Sequence, residues 1–259
     1  MKPPVPPLLF AGLLLIGMLV LLEAGRRFGI NHRQNNSLGE QGNFGIIEGA
    51  IFALFGLVVA FTFSGAVSRF NEKRMLIAEE VNGIETGYLR LHLLSQDAQP
   101  DLRQLFRQYV DSRAETYRRL PDMEAAEMEI AQSKKLQEKI WVQAIAATRI
   151  SGSHPDAGKL LLPALNNMID IATIRTMALR VHPPTIIYLL LLGLSLICSL
   201  LAGYRMSFAH RRSWLHILSF ALMTVITVYV ILDIEYPRAG VIRLEAPDQV
   251  LLNIRDRMK

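Results

Sequence analysis

The apolar residues of this chain fall into four runs that are separated by polar segments. The runs are Leu8–Leu22, Ile46–Val67, Thr185–Tyr204 and Trp214–Leu232. A helix of about 20 apolar residues crosses the hydrocarbon core of a bilayer. The pattern therefore predicts an all-α membrane protein with four transmembrane helices. The first run could instead be a signal peptide preceded by Lys2, but Glu23 and Arg26 follow it in place of a small-residue cleavage site, which favours an uncleaved span.

The long polar segment after the second run has the periodicity of helices. Its apolar residues recur at i, i+3, i+4, i+7 and i+8 and so share one helix face: Leu102, Leu105, Phe106, Tyr109 and Val110. Pro100 and Pro121 bracket this helix. A second helix is predicted over about 123–150, and a third follows the turn residues 151–156 and ends near Val181.

The second apolar run passes into the charged segment Ser68–Arg74 without a helix-breaking residue, so we predict one long helix that continues to about Ser95. The loop Gly29–Asn43 is rich in Asn, Gln and Gly and is expected to be irregular. The chain then divides into four parts. They are 1–67 with transmembrane helices 1 and 2 and their loop, 68–183 as a helical cytoplasmic domain, 184–234 with transmembrane helices 3 and 4, and 235–259 as a cytoplasmic C-terminal tail.

Composition and charge agree with a membrane protein. The chain is 51% hydrophobic, has a mean hydropathy of +0.26 and carries a formal net charge of +5. Residues 68–183 are nearly neutral, with 16 Lys and Arg against 15 Asp and Glu, so the positive excess lies in the loops and the tail. This distribution suits membrane flanks and lipid headgroups rather than a nucleic-acid-binding face, and we expect no nucleic-acid partner.

Sequence motifs of catalysis and of metal binding are missing. The single cysteine, Cys198, lies within the third run, where it cannot form a disulfide within one chain and is expected to be a small buried residue. The histidines show no metal-ligand spacing, and no nucleophile elbow, phosphate loop or dinucleotide fingerprint is present. We therefore expect no enzyme activity, no cofactor and no metal.

The second run contains a stripe of residues that could line a path. Ala53, Leu57 and Phe61 lie at i, i+4 and i+8 and share a helix face, beside the small residues Gly56 and Ala60. One interpretation is an apolar constriction in a pore, of the kind that gates by dewetting. The other is ordinary helix packing. Periodicity alone leaves both open.

Three acidic residues at the start of the second run and after the fourth run are candidate site residues. Glu48, at the start of the second run, could interact with the helix dipole as a cap. In a symmetric oligomer it could instead form a carboxylate ring at a pore mouth, which would favour cations. Asp233 and Glu235 follow the fourth run and precede Pro237, where they either contact a basic loop or a cation, or mark a solvated helix end.

Two stretches of the sequence resemble the bestrophin family of ion channels. In Phe61–Arg74, an aromatic-containing span end is followed by a small residue, by Arg69-Phe70 where the family has Arg-Trp, and by a charged helix. Leu232–Gly240, with the trailing Asp248, is similar to the acidic residue, Pro and Gly sequence that follows the last span in bestrophins. The order of four spans with a large helical insertion also agrees.

The resemblance implies a homopentamer in which five copies of the second span surround a central pore. Counting back from Arg69, the narrow neck of the family falls on Ala53, Leu57 and Phe61. Arg69 would lie at the cytoplasmic exit, where it pairs with a carboxylate or attracts anions. Both termini and the helical domain would be cytoplasmic, and the membrane would be the bacterial inner membrane, although the charge distribution favours this orientation only weakly.

Our interpretation is a passive ion channel that conducts anions, chloride above all, with the lipid bilayer, small inorganic ions and copies of itself as partners. The alternatives are a cation-permeable channel of the same fold and a non-conducting scaffold or signalling protein that binds a partner through its helical domain. A proton-driven, stator-like pentamer is disfavoured because no ionisable residue lies deep within a span. The acidic run that binds calcium in animal bestrophins is absent, and Asp233, Glu235 and Asp248 do not rebuild it.

Overall fold

The computed structural model describes residues 6–35, 44–120, 122–208, 214–236 and 247–258, and every regular element within these ranges is helical. The described α-helices are α1 (Pro7–Asn35), α2 (Phe44–Arg90), α3 (Gln99–Arg119), α4 (Met123–Ala147), α5 (Ala157–Ala178), α6 (Thr185–Met206), α7 (Trp214–Glu235) and α8 (Pro247–Arg257). Two short 3-10 helices, Leu91–Leu93 and Gln96–Ala98, join α2 to α3. The prediction of an all-α fold is confirmed for the described residues.

Four of these helices, α1, α2, α6 and α7, are long and apolar enough to cross a membrane by length and composition. They contain the four apolar runs of the sequence. α2 has 47 residues and continues well beyond its apolar part, as predicted from the absence of a helix breaker. The three helices predicted between the second and third runs are present as α3, α4 and α5.

Helix α1 is longer than its apolar run. It continues to Asn35, so the prediction of an irregular loop over Gly29–Asn43 is wrong for residues 29–35; residues 36–43 lie outside the described part of the chain. The charged residues after the run are compatible with a helix, because Glu23 pairs with Arg26 at 3.5 Å and with Arg27 at 3.0 Å, one turn away.

The contacts divide the chain into two units. The apolar unit contains α1, α2 as far as Arg69, and the segment from His182 that includes α6 and α7. The helical unit contains Phe70–Val181 and α8.

Within the apolar unit, glycines let two helices approach closely. A side chain on Gly25 of α1 would collide with the backbone of Leu200 on α6, and one on Gly203 of α6 would collide with the backbone of Leu22 on α1. Close backbone approach at small residues is a common way for apolar helices to gain packing energy where water supplies no driving force.

Within the helical unit, α3, α4, α5 and α8 share one apolar core. Phe106, Ile140, Leu161 and Leu251 are each no more than 1% exposed. Asp122 caps α4 by accepting a hydrogen bond from the Ala125 amide at 3.3 Å. α8 was not anticipated by the sequence analysis, which treated 235–259 only as a tail.

Candidate functional site

Helix α2 has one packed face in the apolar unit. Phe55, Thr62 and Ala66 are buried on it, and Phe55 belongs to one apolar cluster with Leu191 and Cys198 of α6. The Thr62 hydroxyl donates to the Val58 carbonyl at 2.6 Å, so this polar group has a partner within its own helix. The polar residue that would be costly in hydrocarbon is thereby satisfied.

The opposite face of α2 is uncovered. Ala53, Leu57 and Phe61 all lie on it, and the side chains of Leu57 and Phe61 are 51% and 69% exposed. Ser64 and Ser68 continue the same exposed stripe toward Arg69. Only 6% of the apolar window of α2 is buried, against 28–44% in the other three candidate spans. Helix α2, which carries the small residues and the hydroxyl groups, is therefore the least buried of the four candidate spans in the single chain.

Glu48 lies on the packed side of α2, away from this stripe. At 100° per residue it is about 140° around the helix axis from Ala53. Its carboxylate is 3.4 Å from the Arg205 guanidinium of α6, and its side chain is 13% exposed. The charge of Glu48 is thus matched within the apolar unit.

Arg69 and Glu235, which the sequence analysis singled out separately, are brought together. The Arg69 guanidinium donates to both carboxylate oxygens of Glu235, with Nε at 3.0 and 3.2 Å and Nη2 at 2.9 Å. His182 Nδ1 lies 3.4 Å from the same carboxylate, and its ring stacks on Tyr236 at 4.9 Å. The side chains of Glu235 and Arg69 are 1% and 27% exposed, so this is a partly buried, bidentate ion pair rather than a solvated helix end.

The other two acidic candidates are Asp233 and Asp248. Asp233 is fully buried and hydrogen-bonds to Tyr229 one turn earlier in α7. Asp248 lies in α8, which belongs to the helical unit, and its side chain is outside the described part of the chain. Among the described residues, no group of three or more His, Cys, Asp or Glu side chains is arranged to hold a metal ion.

The sequence analysis missed a buried charged network in the helical unit. Glu80 of α2 is fully buried and pairs with Arg113 of α3, whose Nε is 2.5 Å from Oε1, and with Arg175 of α5. The Tyr117 hydroxyl donates to Glu80 at 3.2 Å, and the Arg175 guanidinium lies 3.7 Å from the Tyr117 ring centroid. Gln137 of α4 extends the network by donating to the Tyr109 hydroxyl at 3.1 Å.

This environment shifts the pKa values of the network. Burial opposes ionisation of Glu80, but the Arg113 and Arg175 guanidinium groups outweigh burial and hold its pKa below the usual value. Burial raises the pKa of Tyr109 to about 12, and burial followed by the nearby Glu80 charge raises that of Tyr117 as well. The network therefore holds one carboxylate, two guanidinium groups and neutral phenols at neutral pH.

Comparison with known proteins identifies a family for this chain. The model of the bestrophin-like domain matches residues 11–247. Among solved structures, the chain is similar to the crystal structure of a bacterial bestrophin homolog from Klebsiella pneumoniae that carries a point mutation, with a TM-score of 0.64, 14% identity, and coverage of 94% of this chain and 98% of that one. No curated protein sequence matches at a significant level.

Proposed function

The chain belongs to the bestrophin-like family, and on that premise we propose that it is a passive ion channel of bestrophin type in which α2 lines the path. It is a membrane protein whose four apolar helices have the length to cross a bilayer. The observation that carries the proposal is the uncovered stripe of α2, which includes Ala53, Leu57 and Phe61.

Oligomerisation would explain why that stripe is uncovered. In a homopentamer, five copies of α2 would turn the stripe toward a common axis, so that Leu57 and Phe61 form an apolar neck. Such a neck controls ion flow through its width and its wetting. The serines at 64 and 68 would offer hydroxyl groups to ions or water on one side of the neck. Packing between α2 and the other helices of its own chain uses the opposite face, which leaves the stripe available.

We assign the channel to the bacterial inner membrane, with residues 68–183 and both termini in the cytoplasm. In this orientation Arg69 stands at the cytoplasmic end of the path. Its guanidinium pairs with Glu235 on the packed side of α2, so its main role is to fix the position of the helix. Any attraction of anions by Arg69 is reduced by that pairing.

Selectivity for anions, with chloride as the main ion, is supported by the absence of charge on the stripe from Ala53 to Ser68 and by the pairing of Glu48 with Arg205. A cation-permeable channel is the second candidate. It is favoured by Glu72 and Glu79, which are exposed on α2.

The test is the reversal potential of the full-length protein in a planar bilayer under a KCl gradient. Reversal near the chloride equilibrium potential supports the anion channel. Reversal near the potassium potential supports the second candidate. The reversal potentials of Glu72→Gln and Glu48→Gln then identify which carboxylate determines the selectivity for cations. An intact protein that carries no current refutes the channel and leaves the scaffold interpretation.

The neck is tested separately by Phe61→Ala. Removing the ring should widen the constriction and raise the single-channel conductance. Leu222→Ala is the matched control, because Leu222 is a large apolar residue of α7 that is 50% exposed in the single chain and lies outside α2. Equal conductance of Phe61→Ala and the control would count against the assignment of the neck.

A further inference from the structure

A cavity of about 190 Å³ opens in the helical unit beside the buried charged network. Its polar lining comes from α3, α4, α5 and the turn after α5, and it includes Arg113, Lys134, Arg180, Ser133, Gln137 and Thr176. Three of these side chains are basic, and none of the described residues that line this cavity is acidic. The composition is that of a site for an anion.

The network behind the cavity carries an excess positive charge. Glu80 supplies one negative charge to the two buried guanidinium groups of Arg113 and Arg175. Cation–π contact with the Tyr117 ring compensates only part of the excess. Nη1 of Arg113 makes a long hydrogen bond of 3.5 Å to the hydroxyl of Thr176, which also lines the cavity. Because a buried cation is costly without a counter-charge, an anion bound in the cavity would be stabilised.

A second, more open cavity of about 370 Å³ adjoins the first and shares Lys134, Gln137 and Thr173 with it. Its additional lining is largely apolar and contains Trp141, Val142 and Ile169. The two cavities therefore form one groove with a basic end and an aromatic, apolar end.

We propose that this groove binds a small organic monocarboxylate. The carboxylate lies beside Arg113, between Lys134 and Arg180, where a guanidinium can hold it by charge-assisted hydrogen bonds. The apolar body of the ligand packs against Trp141. Glu138, the acidic residue in the lining of the open cavity, disfavours a second anionic group at that end.

One existing ion pair competes with the ligand. Arg180 contacts Glu127 at 2.9 Å, but both side chains are 58% exposed. Exposed pairs of this kind contribute little, because water screens them and their side chains lose entropy. Arg180 can therefore turn to a ligand carboxylate at small cost.

The experiment titrates benzoate into the full-length protein in detergent and follows Trp141 fluorescence. The chain has two tryptophans, so Trp214→Phe leaves Trp141 as the reporter. We expect saturable binding at millimolar concentrations or below. Lys134→Gln and Arg180→Gln should each weaken it about tenfold, because each removes a charged hydrogen-bond donor. Lys135→Gln is the matched control, since Lys135 is exposed on the same helix and does not line the groove.

Comparison ligands separate the two ends of the groove. Benzamide has the same ring without the charge and should bind at least tenfold more weakly, and acetate, which lacks the ring, should also bind more weakly. Equal binding of benzamide would overturn the anion site, and equal binding of acetate would overturn the contact with Trp141. The proposal also fails if benzoate does not saturate, or if Lys135→Gln weakens binding as much as Lys134→Gln. This readout does not depend on ion conduction, so failure of the channel proposal would leave it standing.

Discussion

Substitution of Glu80 by glutamine should strongly destabilise the helical unit. Glu80, Arg113 and Arg175 are 0%, 2% and 4% exposed, so water has little access to the place of the lost carboxylate. Removing one member of a buried ion pair costs about 3–5 kcal/mol, because a charge is left in a medium that does not solvate it. Here two guanidinium groups lose the same partner, so we expect the upper end, about 5 kcal/mol.

Thermal unfolding of the full-length protein in detergent, followed by circular dichroism, measures this effect. For a domain of this size, 1 kcal/mol moves Tm by roughly 2–4 °C, so Glu80→Gln should lower Tm by roughly 10–20 °C. Glu85→Gln is the control on the same helix: Glu85 contacts Arg257 at 2.7 Å, but the two side chains are 37% and 68% exposed. That exposed pair should contribute at most about 1 kcal/mol.

The pH dependence of stability shows whether Glu80→Gln acts through the lost charge or through altered packing. The folded-state pKa of Glu80 is depressed by the two guanidinium groups, although burial opposes this. The ionised Glu80 therefore contributes to the free energy of unfolding at pH values above its unfolded-state pKa. This contribution is lost as the pH falls through the folded-state pKa. The wild type and Glu80→Gln should converge in stability under strongly acidic conditions. A constant difference from neutral to acidic pH, or a Tm shift no larger than that of Glu85→Gln, would refute the reasoning.

Two further predictions test the apolar unit. Gly25→Leu should lower Tm by several degrees, because its side chain would meet the backbone of Leu200, whereas Gly12→Leu on the same helix has open space and should leave Tm unchanged in the same detergent melt. Arg69→Gln removes the bidentate partner of the buried Glu235 carboxylate and should cost about 3 kcal/mol. Adding Glu235→Gln should recover most of that loss in a double-mutant cycle, and additive losses would argue against the pair.

Hydropathy and turn signals predicted the helices α1 to α7, because burial in lipid and chain reversal are local properties of the sequence. They missed α8 and the continuation of α1 beyond its apolar run. The partners of the charged residues could not be predicted in the same way. Arg69 and Glu235 were each singled out, but they are separated by 166 residues and only the tertiary packing joins them. Glu48 was given two interpretations, and its contact with Arg205 is likewise a matter of helix packing.

The buried network had a sequence signal that was overlooked. Arg113 continues the apolar face of α3 at the spacing of Phe106, Tyr109 and Tyr117, and all four side chains are buried. Glu80 occupies the same kind of position between Leu76 and Ile84, and Arg175 between Met168 and the end of α5. A charged residue on an apolar helix face must find a partner when the face is buried. Three such residues on three helices predict a shared ion cluster, although not which residues contact one another.

The ion pairs of α2 also bear on the proposed path. In the apolar unit, Arg69 fixes the rotation of α2 through its bidentate contact with Glu235, and Glu48 lies against Arg205 of α6. Rotation about a helix axis decides which residues face outward, and one residue of slippage corresponds to 100°. These ion pairs keep Phe61 and the rest of its stripe on the uncovered face of α2. A channel neck built from single apolar side chains requires that kind of fixed rotation, because its width depends on which side chain points to the axis.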